Sequence, residues 1–184
     1  MKTLIFFGSA RKNGHTKQML DVLTDQLDHE FEIIDAYNTH VSPCKDCRFC
    51  WHKKNCAIKD DMQEIYKKIE EANNIVFASP MYFHTVTGPL KIIIDRLQVY
   101  WASHVRKDKP DHFLRKGAII MVGGAPDFDI QFDAGNQVLS NVLKDLDSNL
   151  IGSVTLSNSD RDSIESKPFL KDELKQLAQK LNIE

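Results

Sequence analysis

Hydrophobic and polar positions along this chain follow two periods, and the switches between them mark its elements. Residues 4–7, Leu-Ile-Phe-Phe, form a continuous apolar run, the mark of a strand buried on both faces, and predict a strand over 2–7. After a small polar stretch the period changes. Met19, Leu20, Leu23 and Leu27 recur at helical spacing and predict a helix over 15–27. Residues 31–34 predict a second strand, and Ile75-Val76-Phe77-Ala78 a third, ended by Ser79-Pro80 because a residue before proline is held extended. Residues 118–122 predict a fourth strand, closed by Gly123-Gly124, and 150–156 a fifth with a weaker pattern. A helix opens at Asp60-Asp61, with Asp60 as N-cap and Met62, Ile65, Tyr66 and Ile69 on one face. Gly88-Pro89 opens another, with Leu90, Ile93, Ile94, Leu97 and Trp101 as its buried side. Phe132, Val138, Leu139, Val142, Leu143 and Leu146 predict a fourth helix, and Leu170, Leu174, Leu177 and Leu181 a last one from Pro168.

Strand and helix thus alternate along the chain, which predicts an α/β fold with a parallel sheet and helices on both faces. At 184 residues, 1–184 is expected to form one domain. A net charge of −2 gives no footprint for nucleic acid. No apolar run reaches membrane-spanning length, and Gly8-Ser9-Ala10-Arg11 breaks the first one too early for a signal peptide. The four cysteines all fall between Cys44 and Cys56, which reads as a local site in a cytoplasmic protein rather than a secreted disulfide framework.

In parallel sheets, ligands sit outside the carboxyl ends of the strands. Three loops follow buried strands and are expected side by side there. The first, 8–16, joins a strand to a helix N-terminus, where unpaired N–H groups and the dipole favour an anion. Gly8 and Gly14 let the backbone curl close, Ser9 and Thr16 donate hydroxyl bonds, and Arg11 can fork onto phosphate oxygens. It is neither a Walker loop nor GxGxxG, so an ordinary capped turn is the competing reading. The second loop, 79–87, offers the flat faces of Tyr82 and Phe83, and the third, 123–126, offers backbone N–H groups beside its glycines. Together they suggest a flavin or a nucleotide.

Four separated motifs resemble a known family. GSARKNGHT, the cysteine cluster running into Cys56-Ala57-Ile58-Lys59-Asp60-Asp61-Met62, Ser79-Pro80-Met81-Tyr82, and Gly88-Pro89-Leu90-Lys91 with Asp95-Arg96 look like the flavodoxin-like NAD(P)H-dependent FMN reductases. The resemblance covers the first two thirds of the chain; beyond it only the strand–helix pattern matches. It implies a flavodoxin-like three-layer sandwich with a five-stranded parallel sheet in the order 2-1-3-4-5, bound FMN, and NAD(P)H as co-substrate. Electrons would pass to a small acceptor: a quinone, a free flavin, an azo or nitro compound, or a metal ion. By the same resemblance Ser9, Arg11, Asn13, His15 and Thr16 would hold the phosphate. Pro80, Met81, Tyr82 and Phe83 would flank the ring, and Gly123 and Gly124 would bond its polar edge. His15 departs from the family, which often has a small polar residue there. No side chain is named as a catalytic acid or base, because the hard chemistry belongs to the flavin. A homodimer or higher homo-oligomer is implied as well.

The second informative feature is Cys44-x2-Cys47-x2-Cys50-x5-Cys56. CxxCxxC recurs among ligands of four-iron clusters. The spacing is similar to that of the iron–sulfur flavoproteins, a branch of the same family that holds a [4Fe–4S] cluster beside FMN. Zinc in a four-thiolate site, redox-active thiols and plain packing are the alternatives. Without nicotinamide oxidation the chain would read as an electron carrier, or as a thiol redox sensor. Lys45, Arg48, Lys53 and Lys54 surround the cysteines and are expected to lower their pKa values. Lys107, Lys109, Arg115 and Lys116 form a basic stretch that reads as a solvated loop, with a 2′-phosphate of NADPH as the sharper alternative.

Overall fold

The computed structural model describes residues 1–108 and 114–183. Its elements run β1 (Lys2–Phe7), α1 (His15–Thr24), β2 (Glu30–Asp35), a 3₁₀ turn (Phe49–Trp51), α2 (Met62–Glu71), β3 (Asn74–Pro80), α3 (Gly88–Arg96), α4 (Gln98–Arg106), β4 (Arg115–Val122), α5 (Asp133–Asp145), β5 (Ser148–Leu156) and α6 (Pro168–Asn182). The five strands pair in parallel in the order β2-β1-β3-β4-β5, as the resemblance implied.

The strand period of two sorts β1 between two cores. Leu4 and Phe6 pack with Ile65, Ile69, Leu90, Ile93 and Leu143, from α2, α3 and α5. Ile5 and Phe7 pack with Met19, Leu20, Leu23, Leu170, Leu174 and Leu177, from α1 and α6. The sheet is therefore the middle of three layers, and its inner strands are apolar on both faces. β2 is an edge strand, and Phe31 and Ile33 on it are exposed.

Three expectations change. The helix predicted through Trp101 breaks at Leu97, which closes α3 and starts α4. The new direction leaves Trp101 40% exposed, its ring 5.7 Å from Trp51. The helix predicted to Leu27 ends at Thr24, with the Asp25 N–H donating to Asp21 and Leu23 carbonyls. Finally, the basic stretch is not a solvated loop at Arg115 and Lys116. Arg115 begins β4 and is 2% exposed, its guanidinium donating to the carbonyls of Ala72 (2.9 Å) and Leu146 (3.0 Å). Lys116 donates to the carbonyls of Lys180 (3.1 Å) and Ile183 near the chain's end. Both are committed to the fold rather than to a nucleotide phosphate; Lys109 lies outside the described residues.

Candidate functional site

β1 delivers the chain to the carboxyl edge of the sheet at Phe7. Gly8 was expected to let an anion approach, but the structure gives it to packing. Its N–H donates to the Ala78 carbonyl (2.8 Å) and its carbonyl accepts the Thr87 hydroxyl (2.8 Å). A Cβ on Gly8 would stand 2.8 Å from Leu90 Cδ2. Gly8 is thus the seam where β1, β3 and α3 close on each other. Beyond it the loop folds back, because the Arg11 N–H donates to the Ser9 hydroxyl (3.2 Å). Gly14 is the N-cap of α1 and no side chain caps the helix, so its first-turn N–H groups open toward the cleft.

That cleft has a volume of about 220 Å³. Ser9, Arg11, Gly14, His15 and Thr16 line it from the first loop, and Pro80, Met81 and Tyr82 from the end of β3. Val122 and Gly124 line it at the end of β4. Ser9 and Thr16 are buried; His15 is half-buried, with Nδ1 3.1 Å from Gln18 Oε1. The Met81 N–H donates to the Val122 carbonyl (2.7 Å), which ties the second loop to the third strand end.

Asn13, Phe83 and Gly123 do not line the cleft. Asn13 is exposed on the outer turn. Phe83 is 97% exposed, in a left-handed backbone (φ 48°) at the tip of a turn bridged by Tyr82 and Thr85. Gly123 is buried, and its N–H donates to the Leu156 carbonyl (2.8 Å), so the donor expected at a ring's polar edge is spent between strands.

Sequence reasoning missed Ser159 and Asp160, which line the cleft from the loop after β5. Backbone bonds bring them there: Asn158 N–H to Ala125 (2.7 Å), Ser159 N–H to Gly123 (3.0 Å) and Asp160 N–H to Gly124 (3.4 Å). A Cβ on Gly124 would stand 2.9 Å from both Asp160 carboxylate oxygens, so glycine is what allows the two loops to meet. No residue type in 157–166 announces this, because the contact is made by main chain.

The cysteines form a second place of interest. Cys44, Cys47, Cys50 and Cys56 line one small pocket together with Ile58, Arg96 and Val99. Left-handed backbone at Asp46 (φ 46°), Arg48 (φ 55°) and Asn55 (φ 74°) winds the loop around it. Asp and Asn tolerate this region, whereas for Arg48 it is costly and persists only where the surroundings fix it. Among the described residues, no three His, Cys, Asp or Glu side chains are drawn together as a ready metal site. Burial pushes the Cys50 thiol above its ordinary range, and Cys56, Cys44 and Cys47 push it the same way. The expected lowering by basic neighbours does not hold at Cys50. Arg48 instead stacks on Trp51, its guanidinium carbon 4.9 Å from the ring centre, and stands 3.8 Å from Asp46.

Two arginines fasten this loop to the helices. Arg106, at the end of α4, donates to the Cys50 carbonyl. Arg96, at the end of α3, is paired with Asp60 (2.7 Å). Burial alone would raise the Asp60 carboxyl; Arg96 and the N–H groups of Ser42 and Met62 outweigh it and hold the pKa below its ordinary 3.8. A depressed carboxyl pKa stabilises the fold above the unfolded value and ceases to as pH falls through the folded one. The urea midpoint is therefore expected to start dropping near the ordinary 3.8 and to continue below it. In Asp60→Asn that portion of the drop should be absent. A variant that follows the wild-type pH profile throughout would mean that Asp60 is not held in this way.

A larger cavity of about 340 Å³ opens between α2 and α4 and is lined by Tyr66, Tyr100 and Arg106. It lies away from the carboxyl ends of the strands, and no glycine is among the residues that line it.

A parallel 2-1-3-4-5 sheet with an open helix N-terminus and three further strand-end loops around one cleft defines a flavodoxin-like α/β protein. The chain belongs to the family of NADPH-dependent FMN reductases, whose model matches residues 1–143. It is 34% identical over 112 residues to an iron–sulfur flavoprotein from Archaeoglobus fulgidus, covering 59% of this chain and 51% of that protein. It is 26% identical over 129 residues to a putative NAD(P)H-dependent FMN-containing oxidoreductase from Bacillus subtilis, covering 67% of each. The chain spans about half the length of the iron–sulfur flavoproteins it matches. In fold it is similar to an FMN-dependent NADH-azoreductase from Bacillus anthracis solved in complex with FMN, with a TM-score of 0.73, 16% identity and full coverage of both chains. No helix among the described residues is long and apolar enough to cross a membrane.

Proposed function

We propose that this chain is an FMN-dependent NAD(P)H oxidoreductase whose flavin lies in the cleft at the carboxyl edge of the sheet. The observation that carries the reading is the convergence of an uncapped α1 N-terminus with Ser9, Arg11, His15 and Thr16 on one side and Met81, Tyr82 and Gly124 on the other. The first group suits a phosphate: backbone N–H donors, two buried hydroxyls and a guanidinium. The second group suits a ring, with an aromatic and a thioether beside the main chain of Gly124. Bound FMN would supply hydride acceptance from NAD(P)H and onward transfer to a quinone, flavin, azo or nitro compound or metal ion. The protein's part is to position that group, and no side chain is assigned as acid or base. The FMN reductase family and the FMN-bound structural neighbour support the reading. Residues 1–184 would act as one flavin-binding unit, and a homodimer is the assembly we expect.

The test is oxidation of NADH and NADPH by the FMN-loaded protein with a quinone, an azo dye and a ferric chelate. Turnover with at least one acceptor is expected. Bound FMN without nicotinamide oxidation would overturn the activity and favour an electron carrier. Failure to bind added FMN would overturn the site.

A second reading concerns the cysteines, favoured because all four line one pocket and because the Archaeoglobus relative is named an iron–sulfur flavoprotein. We infer that Cys44, Cys47, Cys50 and Cys56 are the ligands of a thiolate-bound metal centre. The donor set fits a [4Fe–4S] cluster in number and kind, and such a group would supply one-electron exchange. Protein purified without oxygen should carry about four irons and matching sulfide per chain. One zinc per chain would point to a structural staple, and neither metal would leave the thiols to redox or packing roles.

A further inference from the structure

We propose that Arg96 is the positioning residue of the cysteine site. It fastens both ends of the cysteine loop and holds one N–H in reserve for the sulfur of a thiolate-bound metal. This rests on reading the four cysteines as a metal site.

The argument begins with the donors of one buried guanidinium. Arg96 is 1% exposed at the end of α3. Its Nη1 donates to the Ser42 carbonyl (2.8 Å) and to Asp60 Oδ2 (2.7 Å). Its Nη2 donates to Asp60 Oδ1 (3.1 Å) and to the Ile58 carbonyl (3.4 Å). Ser42 lies just before Cys44, and Ile58 and Asp60 just after Cys56. A single side chain thus grips both stems of the loop that carries every cysteine. Asp60 completes the clasp by accepting the Ser42 N–H (2.9 Å) and the Met62 N–H (3.2 Å). Each of its oxygens is then doubly used, so Asp60 has little left to offer the fifth N–H of Arg96.

That fifth donor, Nε, is buried and has no hydrogen-bond partner among the described residues. A buried charged donor without an acceptor is expensive, and native folds rarely leave one. Arg96 forms part of the wall of the pocket that the four cysteines line. Four of the side-chain acceptors that line it are cysteine sulfurs; of the other two, Asp46 is exposed beside Arg48 and Gln98 is half-buried. A four-thiolate centre is anionic once metal is bound, and a charge-assisted N–H bond to one of its sulfurs would satisfy Nε and offset the charge. Lysine cannot replace this arrangement, because it lacks the planar fork that holds both stems while a further N–H faces elsewhere.

The experiment uses metal-free full-length protein, titrated anaerobically with Co²⁺ and read by thiolate-to-cobalt absorption. Arg96→Lys should bind about 10- to 100-fold more weakly than wild type, the range found when partners behind metal ligands are removed, while FMN affinity stays at the wild-type value. Equal cobalt affinity in the two proteins would overturn the proposal for Arg96 and leave the metal site standing. No thiolate–cobalt band in the wild type would overturn the metal site itself, and the reserved role of Nε with it. Because Arg96 is buried, a measurement on the wild type accompanies the variant. One arginine Nε–H cross-peak in the ¹⁵N–¹H spectrum should shift and exchange more slowly when Cd²⁺ saturates the cysteines. A spectrum in which no arginine Nε–H responds would overturn the proposal without recourse to any substitution.

Discussion

Replacing Ser9 and Arg11 together by alanine is expected to weaken FMN binding by about a hundredfold or more. Two hydrogen bonds to a charged phosphate are removed, each worth roughly 1.5–3 kcal/mol, and each 1.4 kcal/mol is a factor of ten. The effect compounds, because the Ser9 hydroxyl also accepts the Arg11 N–H (3.2 Å) and so shapes the loop that presents the α1 N-terminus. Quenching of flavin fluorescence on titration into the apoprotein gives the dissociation constant. An unchanged thermal midpoint in the absence of FMN separates lost binding from lost folding. Unaltered affinity in the double variant would remove the phosphate from this loop and with it the assignment of the cleft.

The place of the loop after β1 at the cleft could be anticipated because its chemistry and its position come from the same short stretch. A buried strand, small polar residues and the start of a helix are adjacent in sequence, and each has a local signature. The inner strands were legible for a similar reason. A strand covered on both faces must be apolar throughout, and Leu4–Phe7, Ile75–Ala78 and Ala118–Val122 are. What escaped notice depended on contacts between distant segments. Ser159 and Asp160 reach the cleft through main-chain bonds to residues 123–125, which any sequence can make. Gly123 was read as a donor to a ligand, but β5 takes its N–H first. Phe83 has the composition of a ring-flanking residue, yet the turn bridged by Tyr82 and Thr85 points it into solvent. The break at Leu97 has neither glycine nor proline to announce it.

The cysteine loop shows the same division at closer range. Its spacing was visible, and so was a helix start at Asp60-Asp61, although the N-cap position falls on Asp61 rather than on the expected Asp60. That Asp60 belongs equally to Arg96 was not, since the pair is separated by 36 positions and joins only when α3 packs beside the loop. The basic residues nearest in sequence were expected to set the thiol chemistry, whereas burial and the other thiols act on Cys50 in the opposite sense. The two arginines that hold the loop, Arg96 and Arg106, come instead from α3 and α4.

Arg115 is the sharpest instance of a cation that its sequence neighbours misrepresent, and its replacement by methionine is expected to lower the melting temperature by about 6–12 °C. Met keeps the bulk and apolar stem while removing the guanidinium. The two carbonyls that Arg115 serves lie at the ends of different helices: Ala72 is the C-cap residue of α2 and Leu146 that of α5. Both positions are buried, and a helix C-terminus is where carbonyls lack partners and a positive charge is favourable. The Ala72 carbonyl loses its Arg115 donor, at roughly 1–3 kcal/mol for an orphaned group, while the Leu146 carbonyl keeps the Ser148 hydroxyl (3.3 Å) and loses about 1 kcal/mol; at about 3 kcal/mol in all, and with each kcal/mol moving the midpoint of a chain of this size by about 2–4 °C, the shift follows. Arg115→Lys should fall between the two, since an ammonium can reach one carbonyl but not fork to both. Calorimetry of the three proteins decides the matter. A methionine variant that melts with the wild type would mean that the two helix ends do not depend on Arg115, and that the basic stretch is open to some other use after all.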